Sequence, residues 1–287
     1  MKRTFTFLIN SASNGKTVKS FLQNGIQLSN SEIKRLKYSE DGFLLNGNRV
    51  FVTAIIHDGD TLSINLSDNK KAAINPVKGD LEILFEDNDL MVVDKPPFMP
   101  VHPSKGHVDD SLANIVISYL ADNNDNPVFR CVTRLDRNTS GVVLLAKNSF
   151  SHDRLRKQLI EHKIIKIYHA IVHGETDREG TVSAPIIRPD TATIKREVSP
   201  DGIYAVTNYK TIKTENDISF VEIYPETGRT HQIRVHMAYI DHPLCGDFLY
   251  GDENDGYKRH MLHAYEISFT HPVTGEELTV RSKHDIW

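Results

Sequence analysis

The chain has 287 residues, enough for about two domains at roughly 100–200 residues each. Its composition, 39% hydrophobic and 25% charged, is that of a soluble globular protein with a core of its own, so no disulfide or metal staple is required. Lys plus Arg number 34 and Asp plus Glu 38, and the net charge of −4 argues against a simple polycationic nucleic-acid binder. The charge is uneven, however. Residues 1–75 hold ten basic and six acidic side chains, and the remainder holds 24 and 32. A basic module joined to an acidic one is expected.

In chain order, residues 4–9 alternate as a strand does, and a strand is preferred there over a secretory leader. Val18, Phe21 and Leu22 stand at helical spacing. Ser29-Asn30-Ser31-Glu32 is a capping-box pattern, which predicts a second short helix to about Lys37 that carries Lys34, Arg35 and Lys37. Strands are expected at 43–45, 50–56 and 61–66, separated by the turns Asn46-Gly47 and Asp58-Gly59-Asp60. Residues 67–79 are polar, contain a proline and read as a linker.

Beyond the linker, strands are expected at 83–85, 90–93, 142–146, 164–172, 220–224, 265–269 and 278–281. Helices are expected at 111–121 and 149–161. Strands dominate without a regular βαβ rhythm, which predicts an α+β fold with a mixed, largely antiparallel sheet flanked by helices and loops. Cys131 and Cys245 have no cysteine partner at zinc-ligand spacing, and they read as inert thiols in a reducing cytoplasm. No apolar run approaches the ~18 residues of a membrane span.

Two patterns point elsewhere and fail. Gly15-Lys16-Thr17 echoes a phosphate-binding loop, but the earlier glycine it needs falls on Asn10. His231 and His236 are five apart rather than at the four-residue spacing that shares a helix face, so no metal site is expected.

The informative stretch is Arg134-Leu135-Asp136-Arg137-Asn138-Thr139-Ser140-Gly141, a carboxylate between two arginines followed by turn-forming residues and an apolar strand. Composition alone would let Asp136 cap a turn with its arginines facing water. An Asp held ionised beside guanidinium groups, on a loop between rigid strands, is also available as a nucleophile or base. Tyr168 on an apolar strand and Leu262 would, taken alone, be core residues. Arg229 would be a phosphate contact or a surface ion pair.

The Arg134–Gly141 stretch resembles the signature of the RluA/RluD family of RNA pseudouridine synthases. Four further stretches resemble that family's motifs in the family's order. They are residues 84–97 followed by Val101-His102-Pro103, residues 166–174, residues 225–236, and Leu262-His263-Ala264 with Phe269-Thr270-His271-Pro272. Residues 1–70 resemble more loosely the S-four-like RNA-binding module often placed before this domain. Thr133 and Asn138 depart from the residues more usual in the signature, and both flank Asp136 rather than replace it.

The resemblance implies an RNA-binding module over 1–70, a linker over 71–80 and a pseudouridine synthase domain over 81–287. It implies isomerisation of uridine in structured RNA, ribosomal or transfer, by a cytoplasmic monomer that needs no cofactor, nucleotide or metal. Asp136 would react, either as a nucleophile or by removing a sugar proton. Arg229 would pair with Asp136, and Tyr168 would stack on the base while its hydroxyl aids proton transfer at C5. Arg134, Arg137, Thr139, His231, Arg234 and Leu262 would line the substrate site, with Arg134 filling the space that a flipped uridine vacates. Lys34, Arg35 and Lys37 would hold RNA. Two alternatives are a non-catalytic RNA-binding protein that keeps the fold and a glycosidase. The glycosidase normally needs a second carboxylate across the bond, and the constellation offers one.

Overall fold

The computed structural model describes residues 2–287 except 40, 68–73, 124, 126 and 252–254. The chain divides into two compact units, residues 1–70 and 71–287.

The first unit begins with β1 (Lys2–Leu8). A short helix α1 (Val18–Ser20) runs on into a π-helical turn over Phe21–Gly25. Helix α2 (Asn30–Lys37) follows, then β2 (Phe43–Leu45), β3 (Asn48–Arg49) and β4 (Thr61–Ser67). The four strands form one sheet in the order β1-β4-β2-β3. The capping box on α2 is real: Ser29 Oγ accepts the Glu32 N–H, and Glu32 Oε2 accepts the Ser29 N–H. Ile33 and Leu36 are buried, which leaves Lys34, Arg35 and Lys37 on the exposed side of the helix.

The strand expected at 50–56 does not form. Beyond β3 the backbone crosses the start of α1, where Ala54 O and Val52 O accept the N–H groups of Val18 and Lys19, each at 2.8 Å. The first turn of a helix has unsatisfied donors, and this segment's carbonyls serve them rather than a sheet.

The second unit holds β5 (Glu82–Glu86), β6 (Leu90–Lys95), α3 (Leu112–Asp122), β7 (Ser140–Ala146), α4 (Ser149–Ile160) and β8 (Ile165–His173). Then come β9 (Glu179–Ser183), β10 (Ile186–Ile187), β11 (Glu197–Val198), β12 (Val206–Glu215), β13 (Ile218–Pro225), α5 (Gln232–Tyr239), β14 (Leu262–Thr270) and β15 (Glu277–Arg281). Nine strands make one sheet in the order β5-β6-β7-β14-β8-β13-β12-β9, with β15 beside the far end of β14. The β7/β14 pair is parallel and the other pairs are antiparallel, so the α+β expectation holds.

The middle of the sheet is covered on both faces. Met91, Val93, Val143 and Leu145 pack on α3 through Leu112, Val116 and Leu120. Val92, Val142 and Leu144 point the other way, onto Leu155 of α4 and Ile164. This double burial is why β6 and β7 read as unbroken apolar runs. Further along the sheet, Ile233 and Met237 of α5 pack on Ala170, Val172, Val221 and Ile223.

Part of the predicted linker is not free chain. The Val77 N–H donates to Asn114 O, and Asn114 Nδ2 donates to Asn75 O, which ties residues 75–77 to α3.

Candidate active site

Asp136 lies on the loop that delivers the chain into β7, and the loop's position is set by β14. His263 and Ala264 of β14 run parallel to Ser140 and Gly141. Gly141 has φ +108°, and a Cβ there would meet Ala264 O at 2.2 Å. Only glycine permits so close an approach, which explains the Thr-Ser-Gly ending of the stretch.

Three side chains from outside the loop hold it in place, two of them by its backbone. Lys95, fully buried at the end of β6, donates from Nζ to Pro96 O, Met99 O and Arg137 O at 2.9, 2.8 and 3.1 Å. Burial and the Arg259 charge pull its pKa down to about 7, and Asp136 pulls the other way. Arg259 donates from Nη1 to Asn138 O, His260 O and Leu262 O, and from Nη2 to Ser140 Oγ. His260 Nε2 lies 2.8 Å from Thr139 Oγ1. Burial, then the Arg234 charge, depress the His260 imidazole to about 4. Within the loop, the Thr139 N–H donates to Asp136 O.

The Asp136 side chain meets α5. Arg234, 4% exposed, donates from Nη1 to Asp136 Oδ2 at 3.2 Å. Its other edge makes a two-point bond with the fully buried Asp247, Nε to Oδ2 at 2.6 Å and Nη2 to Oδ1 at 2.7 Å. Burial raises the Asp247 carboxyl, but the Arg234 bonds outweigh it and hold the group below its ordinary value. Among the described residues, no hydrogen bond reaches Asp136 Oδ1.

These groups open onto a cavity of about 480 Å³. Asp136, Thr139, Tyr168, His231, Arg234 and Leu262 line it, with Arg134 and Arg229. Tyr168 and Leu262 belong to the α5-covered core, so the apolar floor of the cavity continues the hydrophobic interior. Burial, and then the Asp136 charge, push the Tyr168 phenol far above its ordinary range, so it stays protonated. Arg134, Lys166, Arg229 and Arg234 outnumber the lining carboxylates Asp136 and Glu226. The cavity wall therefore runs against the unit's net acidity.

One expected pairing is corrected. Arg229 does not reach Asp136. It is exposed at the cavity rim and donates from Nε to Tyr204 O at 3.0 Å. Arg229 lies on the approach to α5, whereas Arg234 projects from inside that helix. Its buried partner Asp247 sits behind it and holds its free Nη1 toward Asp136. Arg137 is not among the residues that line the cavity; it donates to His107 Nε2 at 2.9 Å, while His107 Nδ1 contacts Asp110 at 2.6 Å. His236 is satisfied by Thr207 Oγ1 and Ala184 O, so it does not converge with His231. Thr133 accepts the Leu144 N–H and anchors the start of the loop, so this departure from the signature is a backbone brace.

The sequence reading missed Lys95, Asp247, Tyr250, Arg259 and His260. Only Lys95 carried a local signal, a lysine closing the apolar run 90–93. The others belong to segments with no periodic pattern. Helix α5 was also missed, because Ile233, Val235 and Met237 alternate as in a strand while Gln232, Arg234 and His236 are buried in polar contacts.

Comparison with known proteins follows the same lines. A family model described as RNA pseudouridylate synthase matches residues 89–239, just over half of the chain. The uncharacterised RNA pseudouridine synthase YjbO of Bacillus subtilis is 37% identical over 266 residues, which cover 91% of this chain and 93% of that protein. The ribosomal large subunit pseudouridine synthase D of Vibrio parahaemolyticus is 36% identical over 232 residues, covering 76% and 71%. The solved structure of human RNA pseudouridylate synthase domain containing 1 superposes with a TM-score of 0.60 at 26% identity, covering 71% of this chain and 84% of that one.

Proposed function

The chain belongs to the RNA pseudouridylate synthase family, and on that premise we propose that its cavity isomerises uridine in structured RNA, with Asp136 as the reacting carboxylate. As a pseudouridine synthase the protein is an isomerase that acts on RNA. The observation that carries the assignment of roles is the joint placement of Asp136, Arg234 and Tyr168 in one cavity.

The reaction breaks N1–C1′, turns the uracil and joins C5 to C1′. The C5 proton leaves and N1 gains one, so the atoms balance without a redox cofactor, nucleotide or metal. Asp136 either attacks as a nucleophile or removes a sugar proton, and both roles need an unprotonated oxygen. Arg234 holds Oδ2 and leaves Oδ1 for the substrate. Tyr168 stacks on the uracil, a contact worth about 1–3 kcal/mol. Its phenol is kept protonated at rest, and its hydroxyl aids proton transfer at C5 as the base turns.

A uridine within folded RNA must leave its stack to enter such a cavity, at a cost of a few kcal/mol. Arg134 is exposed at the mouth, where its guanidinium can stack in the vacated space. Arg229 supplies further positive charge at the rim, and Arg137, held by His107 outside the cavity lining, adds to it beside the loop. Residues 1–70 hold RNA through the outward face of α2, and Lys34, Arg35 and Lys37 contact phosphates there. The protein acts as a cytoplasmic monomer. No helix among its described residues is long and apolar enough to cross a membrane.

Relatives named for the large ribosomal subunit favour ribosomal over transfer RNA as the substrate. Mapping pseudouridine across both RNA classes in cells lacking the gene tests this. The expected result is loss of one or more large-subunit sites, restored by the intact gene but not by Asp136→Asn. An unchanged ribosomal map with lost transfer RNA sites would reverse the assignment.

A further inference from the structure

His231 lines the cavity with a left-handed backbone, φ +59° and ψ +15°, at the N-cap of α5, where its side chain makes no cap hydrogen bond. Such a conformation costs a non-glycine residue roughly 1–3 kcal/mol and persists only where surrounding contacts impose it. Those contacts are on the imidazole. Nδ1 lies 2.9 Å from Tyr250 Oη, with the two rings edge to face at 5.8 Å, and Nε2 lies 3.8 Å from Asp136 Oδ2.

The proton positions follow from the partners. Tyr250 Oη already accepts the Arg196 N–H at 2.8 Å, and its own proton has His231 Nδ1 as its acceptor. A neutral imidazole with Nδ1 accepting must carry its proton on Nε2. The other ring edge demands the same answer, because a bare Nε2 lone pair would face the Asp136 carboxylate. Tyr250 also touches the second partner of Asp136, since the Arg234 guanidinium sits 5.0 Å over its ring.

We propose that Tyr250 is a positioning residue that fixes His231 as the Nε2-protonated tautomer, so that a neutral N–H donor faces Asp136. The proposal rests on the reading of Asp136 as the reacting carboxylate. The charged groups around His231 are Asp136 from the loop before β7, Arg234 from α5, Arg196 from the segment before β11 and Asp247 from the loop after α5. Burial and the two arginines oppose a charge on the ring, and the two carboxylates favour it. A neutral donor orients the Asp136 oxygen without the full countercharge that an imidazolium would place on it.

The test is a long-range proton–nitrogen spectrum of the free protein with labelled histidine, with the His231 signals assigned by His231→Gln. The expected spectrum shows Nε2 protonated and Nδ1 bare at pH 7.5. In Tyr250→Phe the ring becomes a tautomer mixture and protonates at a higher pH than in the intact protein. On RNA, Tyr250→Phe lowers kcat about 10–100-fold with little change in KM, and its pH profile gains an acid limb near the ordinary histidine value, about 6.5. A proton on Nδ1 in the intact protein, or a Tyr250→Phe spectrum identical to it, overturns the proposal. Because the spectrum needs no turnover, either result leaves the role of Asp136 to its own test.

Discussion

Arg234 divides one guanidinium between two carboxylates, Asp247 behind it and Asp136 in the cavity, and the Asp136 contact is 3.2 Å long. Asp247 is fully buried and fixes the plane of the arginine, so the position of Asp136 depends on a residue that never meets substrate. Buried ion pairs are costly to break because the surviving charge has no water to receive it.

Arg234 and Arg229 should therefore differ sharply under substitution. Arg234→Met strands Asp247 and should destabilise the fold by about 3–5 kcal/mol. Arg234→Lys keeps the charge but loses the two-point geometry, and it should lower kcat about 100-fold or more. Arg229→Ala removes an exposed side chain and should leave stability within about 0.5 kcal/mol, with its effect seen in KM for RNA. Urea unfolding and steady-state kinetics on the three variants check this, and an Arg229 variant that loses kcat as fully as Arg234→Lys would contradict the pairing.

Lys95→Met should loosen the catalytic loop. The change leaves Pro96 O, Met99 O and Arg137 O without their donor, at about 1–3 kcal/mol for each group left unsatisfied. Hydrogen exchange should rise at residues 134–140, and kcat should fall more than RNA affinity, because Arg137 adjoins Asp136. Exchange unchanged at those amides would show that the lysine does not hold the loop.

His260 predicts an acid-side loss of stability. Its folded value is depressed to about 4, so between about pH 4 and 6.5 the unfolded chain binds more protons than the folded one. Its contribution is fully present above about pH 6.5 and is lost as pH falls toward 4, on the order of 3 kcal/mol in all. Urea midpoints measured from pH 4.5 to 7.5 should fall more steeply for the intact protein than for His260→Gln. Parallel curves would contradict this.

Reversing Lys34, Arg35 and Lys37 to Glu in the full chain should weaken RNA binding and reduce the salt dependence. The slope of log K against log salt should fall by about 2–3 if the three side chains each meet a phosphate. Turnover at saturating RNA should stay within about two-fold. An unchanged slope would remove α2 from the RNA contact.

Local signals in the chain proved reliable where neighbouring residues decide the outcome. The Ser29–Glu32 capping box, the Asn46-Gly47 turn with both residues at positive φ, and the apolar runs of β6 and β7 all depend on short-range geometry. The Asp136 stretch was readable because its signature residues are contiguous, so a family resemblance could carry what composition alone left as a turn cap. The partner of Asp136 was not, because the choice between Arg229 and Arg234 depends on how α5 is oriented. That orientation is set by Ile233 and Met237 packing on distant strands and by Asp247 thirteen residues on. Lys95, Arg259 and His260 reach the loop from β6 and from the approach to β14, so their roles exist only once β7 and β14 lie side by side.

The most direct test of the whole account is tritium release from RNA labelled at uracil C5, since the label leaves only when C5 becomes bonded to C1′. The intact protein should release tritium from its target RNA, and Asp136→Asn should release none above background while still binding that RNA. Release by the variant at the rate of the intact protein, or no release by the intact protein from any cellular RNA, would contradict the account.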